Sequence, residues 1–198
     1  MSMWKKIKHL LNPQNDESDQ DETELEFVAF QSKDPVDVLF AKNFIAGGGQ
    51  FFYCENEQEA LEHLQEIIAN EQIDEMICFE DKLKSYLNRL NVKHSTNLNS
   101  SVDFSFIECE YLVAFDGAIM LSSHQTNGRK LSDFPHNFIV FATPGQLVSN
   151  ISEALQRLKS SKSDNIPSDI TSIRGKKMHN FDSSSNAKNI FLLLVEQN

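Results

Sequence analysis

The sequence has few cysteines, glycines, prolines and basic residues, and it has no long apolar run. Its three cysteines, Cys54, Cys78 and Cys109, stand far apart and form no Cys-x-x-Cys pair. Zinc-ribbon and iron–sulfur spacings are therefore missing. An odd count with no pairing pattern fits free thiols in a reducing compartment. No apolar run approaches the roughly 18 residues needed to span a bilayer, and the N-terminus lacks the apolar core of a secretion signal. A cytoplasmic protein without a transmembrane segment is expected. Lys and Arg number 18 against 29 Asp and Glu, for a net charge of −11. That balance opposes binding to nucleic acid or to anionic membrane. The six histidines show no i, i+4 pair and no His-Glu-x-x-His run, so neither a metal site nor a cofactor is expected.

What the chain does contain divides it into three parts. Residues 1–11 place Trp4, Ile7 and Leu11 on one face of a short amphipathic helix flanked by Lys5 and Lys8, a helix suited to dock on its own domain or a second copy, or to contact a membrane surface or a partner. Residues 12–26 hold seven acids and no Lys or Arg and read as an acidic linker too polar to bury anything. Residues 27–198 read as one α/β domain. Its first helix opens at Asp34-Pro35, with Asp34 as N-cap. It ends in Gly47-Gly48-Gly49, which leave a helix and enter the strand Gln50 to Cys54. A phosphate loop has the reverse order, so these glycines are a helix C-cap and turn. Helices over Glu55 to Asn70 and Asp81 to Leu90 alternate with strands at Met76 to Phe79 and Val92 to His94. Val102 to Glu110 reads as an edge strand or another short element. The alternation predicts a mixed, mostly parallel sheet with helices on both faces.

The organising stretch is Tyr111 to Val148. Leu112 to Phe115 and Ala118 to Leu121 are apolar runs broken by Asp116-Gly117, a strong turn signal, and suit strands buried on both faces. A polar loop follows from Ser122 to Pro135, then a strand Phe138 to Ala142, with Pro144 placed to open a helix running to about Lys159. Later come a strand candidate at Asp169 to Ile173, a turn at Arg174 to Lys177, and Asn189 to Glu196, whose dense apolar run predicts a central strand.

Ala114-x-x-Gly117-x-Ile119, Gly128-Arg129, Pro135 before Phe138 to Ala142, Gln146-Leu147-Val148, and a late strand ending in Gly175 together resemble the LUD-domain family of the lactate-utilisation protein C (YkgG) type. The order of elements agrees over roughly residues 35–196. The resemblance implies a fold like the NagB/RpiA/CoA-transferase group. It also implies association with L-lactate oxidation beside iron–sulfur partner proteins. The chain departs from the family where Ala-Glu-Thr-Gly-Thr becomes Ala114-Phe115-Asp116-Gly117-Ala118, and where Gly-Pro-Ser-x-Thr-x-Asp keeps only Gly175. The Gly-Val-His-Gly-Pro tract has no counterpart in residues 182–186. Of the family's ligand-facing positions, Gly117, Gly175 and Arg129 carry over.

The residues themselves yield one candidate catalytic carboxylate, Asp116, which reads as either turn residue or general base. Ser122, Ser123 and His124 are adjacent but lack a nucleophile elbow. Arg129 and Lys130 in the central loop, with Arg174, Lys176 and Lys177 after a later strand, stand out in an acidic chain. They would clamp a carboxylate or phosphate if the two segments meet. Gly117, His124, Arg129, Lys130, Arg174, Gly175 and Lys176 form the candidate ligand set. The leading expectation is an accessory or ligand-binding protein of lactate or organic-acid utilisation with no redox centre of its own. The alternatives are an enzyme acting on a small anionic metabolite, a phosphosugar or acyl-CoA, and a non-catalytic interaction module. A second copy of the chain is a further candidate partner.

Overall fold

The computed structural model describes residues 34–98, 101–161, 166–176 and 187–196. The expected amphipathic helix and acidic linker lie outside them, as does Lys177. Helix α1, Val36–Ala46, buries Phe40 and Phe44 and ends at Gly47. Asp34 does not cap it. Pro35 stands at the N-cap, and the Asp34 carboxylate accepts instead from Lys42 at 2.8 Å. The glycine turn leads into β1, Gln50–Cys54, with Gly48 at φ 89°. The Asn56 side chain caps α2, Glu57–Asn70, by accepting from the Glu59 amide at 3.0 Å. This satisfies one orphan donor at the helix start. Then come β2 (Glu75–Ile77), α3 (Asp81–Arg89), β3 (Lys93–Ser95) and β4 (Phe104–Glu108). The chain continues through β5 (Tyr111–Val113), β6 (Ala118–Ser122) and β7 (Asn137–Ala142). It closes with β8 (Leu147–Val148), α4 (Ile151–Ser161), β9 (Ile170–Gly175) and β10 (Ala187–Val195).

The strands form one mixed sheet in the order β3-β2-β4-β7-β10-β9-β6-β5-β8, with β1 also on β10. Pairing is parallel from β3 through β4 and β7 to β10 and β1. Among the described residues it is antiparallel only where β6 meets β5 and β9. As expected, the last apolar run is central. β10 pairs with β7 along one edge, while the other is shared by β9 (Ala187, Lys188) and β1 (Phe191 to Val195). β4 is not an edge strand, because it lies between β2 and β7. Its residues Phe104 to Ile107 are buried, which the polar flank before it in sequence conceals.

Alternate residues of the central strands feed two cores. Ile139, Phe141, Phe191, Leu193 and Val195 pack with Leu61 and Leu64 of α2 and Leu83 and Leu87 of α3. Phe138, Val140, Ile190, Leu192 and Leu194 pack with Phe40 and Phe44 of α1 and with Leu112, Ile119 and Ile173 of the smaller antiparallel part. Two-sided burial is what continuous apolar runs in parallel strands require. A third cluster joins Val113, Ala118 and Met120 to Ala154 and Leu158 of α4.

Three local expectations change. Pro144 opens only a single 3-10 turn, Pro144–Gln146, because the Gln146 side chain accepts from the Thr143 amide at 2.7 Å and donates to the Cys109 carbonyl. That bond holds the chain against β4, so Leu147 and Val148 add to β5 and the helix starts at Ile151. Arg174 and Gly175 belong to β9 and do not form a turn after it. Phe115, expected to be buried, is 76% exposed at the hairpin tip.

The hairpin tip is locked to α1. Asn43 Nδ2 donates to the carbonyls of Ala114 at 2.8 Å and Phe115 at 3.1 Å. Gly117, at φ 63°, leaves no room for a Cβ, which would fall against the Phe44 backbone. Gly128, at φ 71°, faces open space. Gly117→Ala is expected to cost about 2–5 kcal/mol, combining left-handed strain with overpacking. Gly128→Ala is expected to cost about 1 kcal/mol from strain alone. Urea denaturation of the two variants measures the difference, and equal costs would contradict the close approach at Gly117.

Candidate functional site

At the hairpin tip, Asp116 Oδ2 accepts from Arg174 Nε at 3.1 Å and from Arg174 Nη2, and its Oδ1 accepts from the Ala118 amide at 3.3 Å. A carboxylate engaged by a guanidinium has its proton-accepting sites largely taken. Gly175 lies beside the same tip, where a Cβ would collide with the Gly47 carbonyl. Gly117, Gly175, Asp116 and Arg174 therefore do come together, around the end of α1. Arg129 and Lys130 do not join them. Ser122 pairs with Ile170 at the start of β9, and the Arg129 amide donates to Thr126, whose own amide returns to Ser122. Arg174 sits at the other end of β9, so the register separates the two halves of the expected clamp. Lys176 is exposed just past β9.

Ser122 and His124 meet a partner that the sequence reading missed. Glu110 is buried, and its Oε1 receives Ser122 Oγ at 2.7 Å, Gln125 Nε2 at 3.0 Å and His124 Nδ1 at 3.5 Å. The serine hydroxyl donates to a carboxylate, not to the imidazole. This is a loop-anchoring network rather than a nucleophile–base pair.

The carboxyl ends of β7 and β10 open onto a cleft of about 430 Å³ lined by Asn56, Glu57, Lys82, Phe141, Thr143, Val195 and Glu196. Parallel strands end there and the starts of α2 and α3 flank it, the place where open α/β sheets bind ligands. Lys82 Nζ lies 4.7 Å from the centre of the Phe141 ring and 3.7 Å from Glu108 Oε1, with 47% of its side chain exposed. The Tyr86 ring packs on Phe141 at 5.5 Å. Burial first, then Glu57, keeps the Tyr86 phenol protonated. Behind Lys82, Glu80 directs Oε1 to the Glu108 amide at 3.3 Å, while its buried Oε2 has no hydrogen-bond partner among the described residues. Burial pushes the Glu80 carboxyl up to about 7, against the pull of nearby backbone amides. Among the described residues no group of three or more His, Cys, Asp or Glu is placed to hold a metal ion. No described helix is long and apolar enough to cross a membrane. The only sequence signal for Glu80 is its position just after a strand and before a helix.

The family model of the LUD domain matches residues 39–197. The chain belongs to the LUD-domain family. A LUD-type fold also appears in the structural comparison. A DUF162-family protein from Deinococcus radiodurans is similar at a TM-score of 0.60 and 17% identity, covering 82% of this chain and 96% of that one. Ribose 5-phosphate isomerase A from Methanocaldococcus jannaschii aligns at a TM-score of 0.30 and 12% identity, over 65% of this chain and 67% of its own. That likeness is too slight to carry an argument. Comparison with curated proteins finds no match.

The Glu80 environment of this LUD domain has a measurable consequence. Its carboxyl is raised from an ordinary 4.5 to about 7, so the folded state holds the proton more tightly than the unfolded chain. That contribution to stability is fully present below pH 4.5 and is lost as pH rises towards 7. Glu80→Gln, which stays neutral, is expected to stabilise the protein by about 1–3 kcal/mol at pH 8 and to change little at pH 4.5. Denaturant melts at the two pH values read this directly. Equal effects at both would show that Glu80 does not titrate in this window.

Proposed function

We propose that this LUD-domain protein is a ligand-binding, accessory component of lactate or related organic-acid utilisation. Oxidation itself is assigned to iron–sulfur partner proteins. The observation that carries this reading is Lys82 standing over Phe141 in the carboxyl-end cleft that Glu57, Glu196 and Thr143 also line. A small hydroxy acid needs one cation for its carboxylate and acceptors for its hydroxyl. Lys82 supplies the first, and Thr143 with the two glutamates supplies the second. The aromatic floor suits the short carbon chain.

A second reading, an enzyme acting on a small anionic metabolite, draws support from Glu80. A carboxyl poised near neutrality beside a cleft is the usual form of a general acid or base. Asp116, the residue first considered for that task, is held by Arg174.

The deciding measurement is thermal stabilisation by lactate, other hydroxy acids, phosphosugars, nucleotides and acyl-CoA. A ligand at a hundredfold excess over its Kd stabilises by roughly 2.7 kcal/mol. A hydroxy-acid shift lost in Lys82→Ala is the expected result. A shift lost in Arg129→Ala and retained in Lys82→Ala would move the ligand to the central loop. No shift with any hydroxy acid would overturn the reading.

A further inference from the structure

The other end of the sheet carries a different cluster. Lys188 is the second residue of β10. Its backbone is flanked by Gly175 of β9, and the next residue, Asn189, donates its amide to the His136 carbonyl at 3.1 Å. Lys188 is only 5% exposed. Its Nζ reaches the Pro135 carbonyl at a long 3.4 Å and lies 5.5 Å from the centre of the Phe138 ring. An ammonium has three donors to satisfy. No carboxylate among the described residues pairs with this one, and burial alone lowers its proton affinity. A buried charge without a partner is expensive, and such groups are normally paired.

The rim of the same spot is also basic. His136 and Lys176 are both exposed there. Burial first, then the charges of Lys176 and Lys188, holds the His136 imidazole below its ordinary range. Arg174, next to Gly175 on β9, is engaged with Asp116. In a chain of net charge −11, two ammonium groups and an imidazole come together here with no acid among the described residues, an arrangement that suits negative charge.

We propose that Lys188, His136 and Lys176 form a binding site for a small oxyanion, a carboxylate or a phosphate, at the amino ends of β7 and β10. Lys188 is the floor and supplies the desolvated charge. His136 and Lys176 are the rim and supply exchangeable hydrogen bonds. The site is separate from the Lys82 cleft, which lies at the carboxyl ends of the same two strands. Of the anion contacts expected from sequence it retains Lys176, and it adds Lys188 and His136.

The test measures melting temperature in inorganic phosphate, acetate and pyruvate, each against chloride at matched ionic strength. Wild type is expected to melt higher in at least one oxyanion, and the comparison separates a phosphate from a carboxylate site. Lys188→Met is expected to remove the response, and Lys82→Ala to keep it. Lys188→Met exchanges a buried ammonium for an apolar chain of similar length, so folding is expected to survive. The exposed double variant His136→Asn/Lys176→Ala provides a second check that cannot empty the core. It is expected to weaken anion affinity several-fold. A wild type that responds to no oxyanion beyond chloride would overturn the proposal. So would a Lys188→Met protein, or a rim double variant, that responds as the wild type does.

Discussion

The structure depends on the backbone pairing of β10. This strand lies between β7 on one edge and β9 followed by β1 on the other, and its residues alternate between two cores. Ile190, Leu192 and Leu194 face α1 and the antiparallel part, while Phe191, Leu193 and Val195 face α2 and α3. β7 beside it alternates between the same two cores. Its partners β1 and β7 are well over forty positions away in sequence, so the central seam can close only after long stretches of chain have been ordered. Such non-local parallel pairing is slow to form, because loop closure is unfavourable before the contacts reward it.

The second tie is steric. The antiparallel hairpin reaches the main sheet through the end of α1, where Gly117 meets the Phe44 backbone and Gly175 meets the Gly47 carbonyl. Asn43 fastens Ala114 and Phe115 from the same helix. These are the positions at which the sequence keeps its resemblance to the LUD family, at Ala114, Gly117 and Gly175. Their retention has a packing reason, since no larger residue fits at either glycine. Of the positions that depart, Phe115 and Lys176 are exposed, Asp116 is in an ion pair and Ala118 is buried. Family membership in this chain is thus carried by backbone approach more than by side-chain chemistry.

That distinction explains what could be read in advance. Two strands buried on both faces announced themselves, because Ile190 to Val195 and Phe138 to Ala142 are unbroken apolar runs, whereas β4, equally buried, was hidden by its polar flank. The segment after Pro144 misled because proline does open a helical turn there. The turn stops when Gln146 bonds back to the Cys109 carbonyl, a contact 37 residues away. The glycine turn after α1 was legible because element order alone separates a C-cap from a phosphate loop. Glu80, Glu110 and Lys188 were not legible. A charged residue at the end of a strand reads as a solvated terminus, and only the layer that folds over it makes it buried.

Charge is then divided between the two ends of the parallel strands. The carboxyl end gathers Glu57, Glu80, Asp81, Glu108 and Glu196, with Lys82 among them. Helix starts usually attract anions through their free amides. Here α2 and α3 already carry acids in their first turns, so the field that would draw in a polyanion is largely cancelled. A triphosphate or a coenzyme bearing several phosphates would meet net repulsion in that cleft. A monoanion with hydroxyl groups to donate meets one cation and several acceptors. At the amino end the sign reverses, with Lys188, Lys176 and His136 facing no acid among the described residues. The acidic end therefore selects for low charge and many donors, and the basic end for an oxyanion. A single small molecule satisfies both demands poorly, which favours two sites over one extended channel.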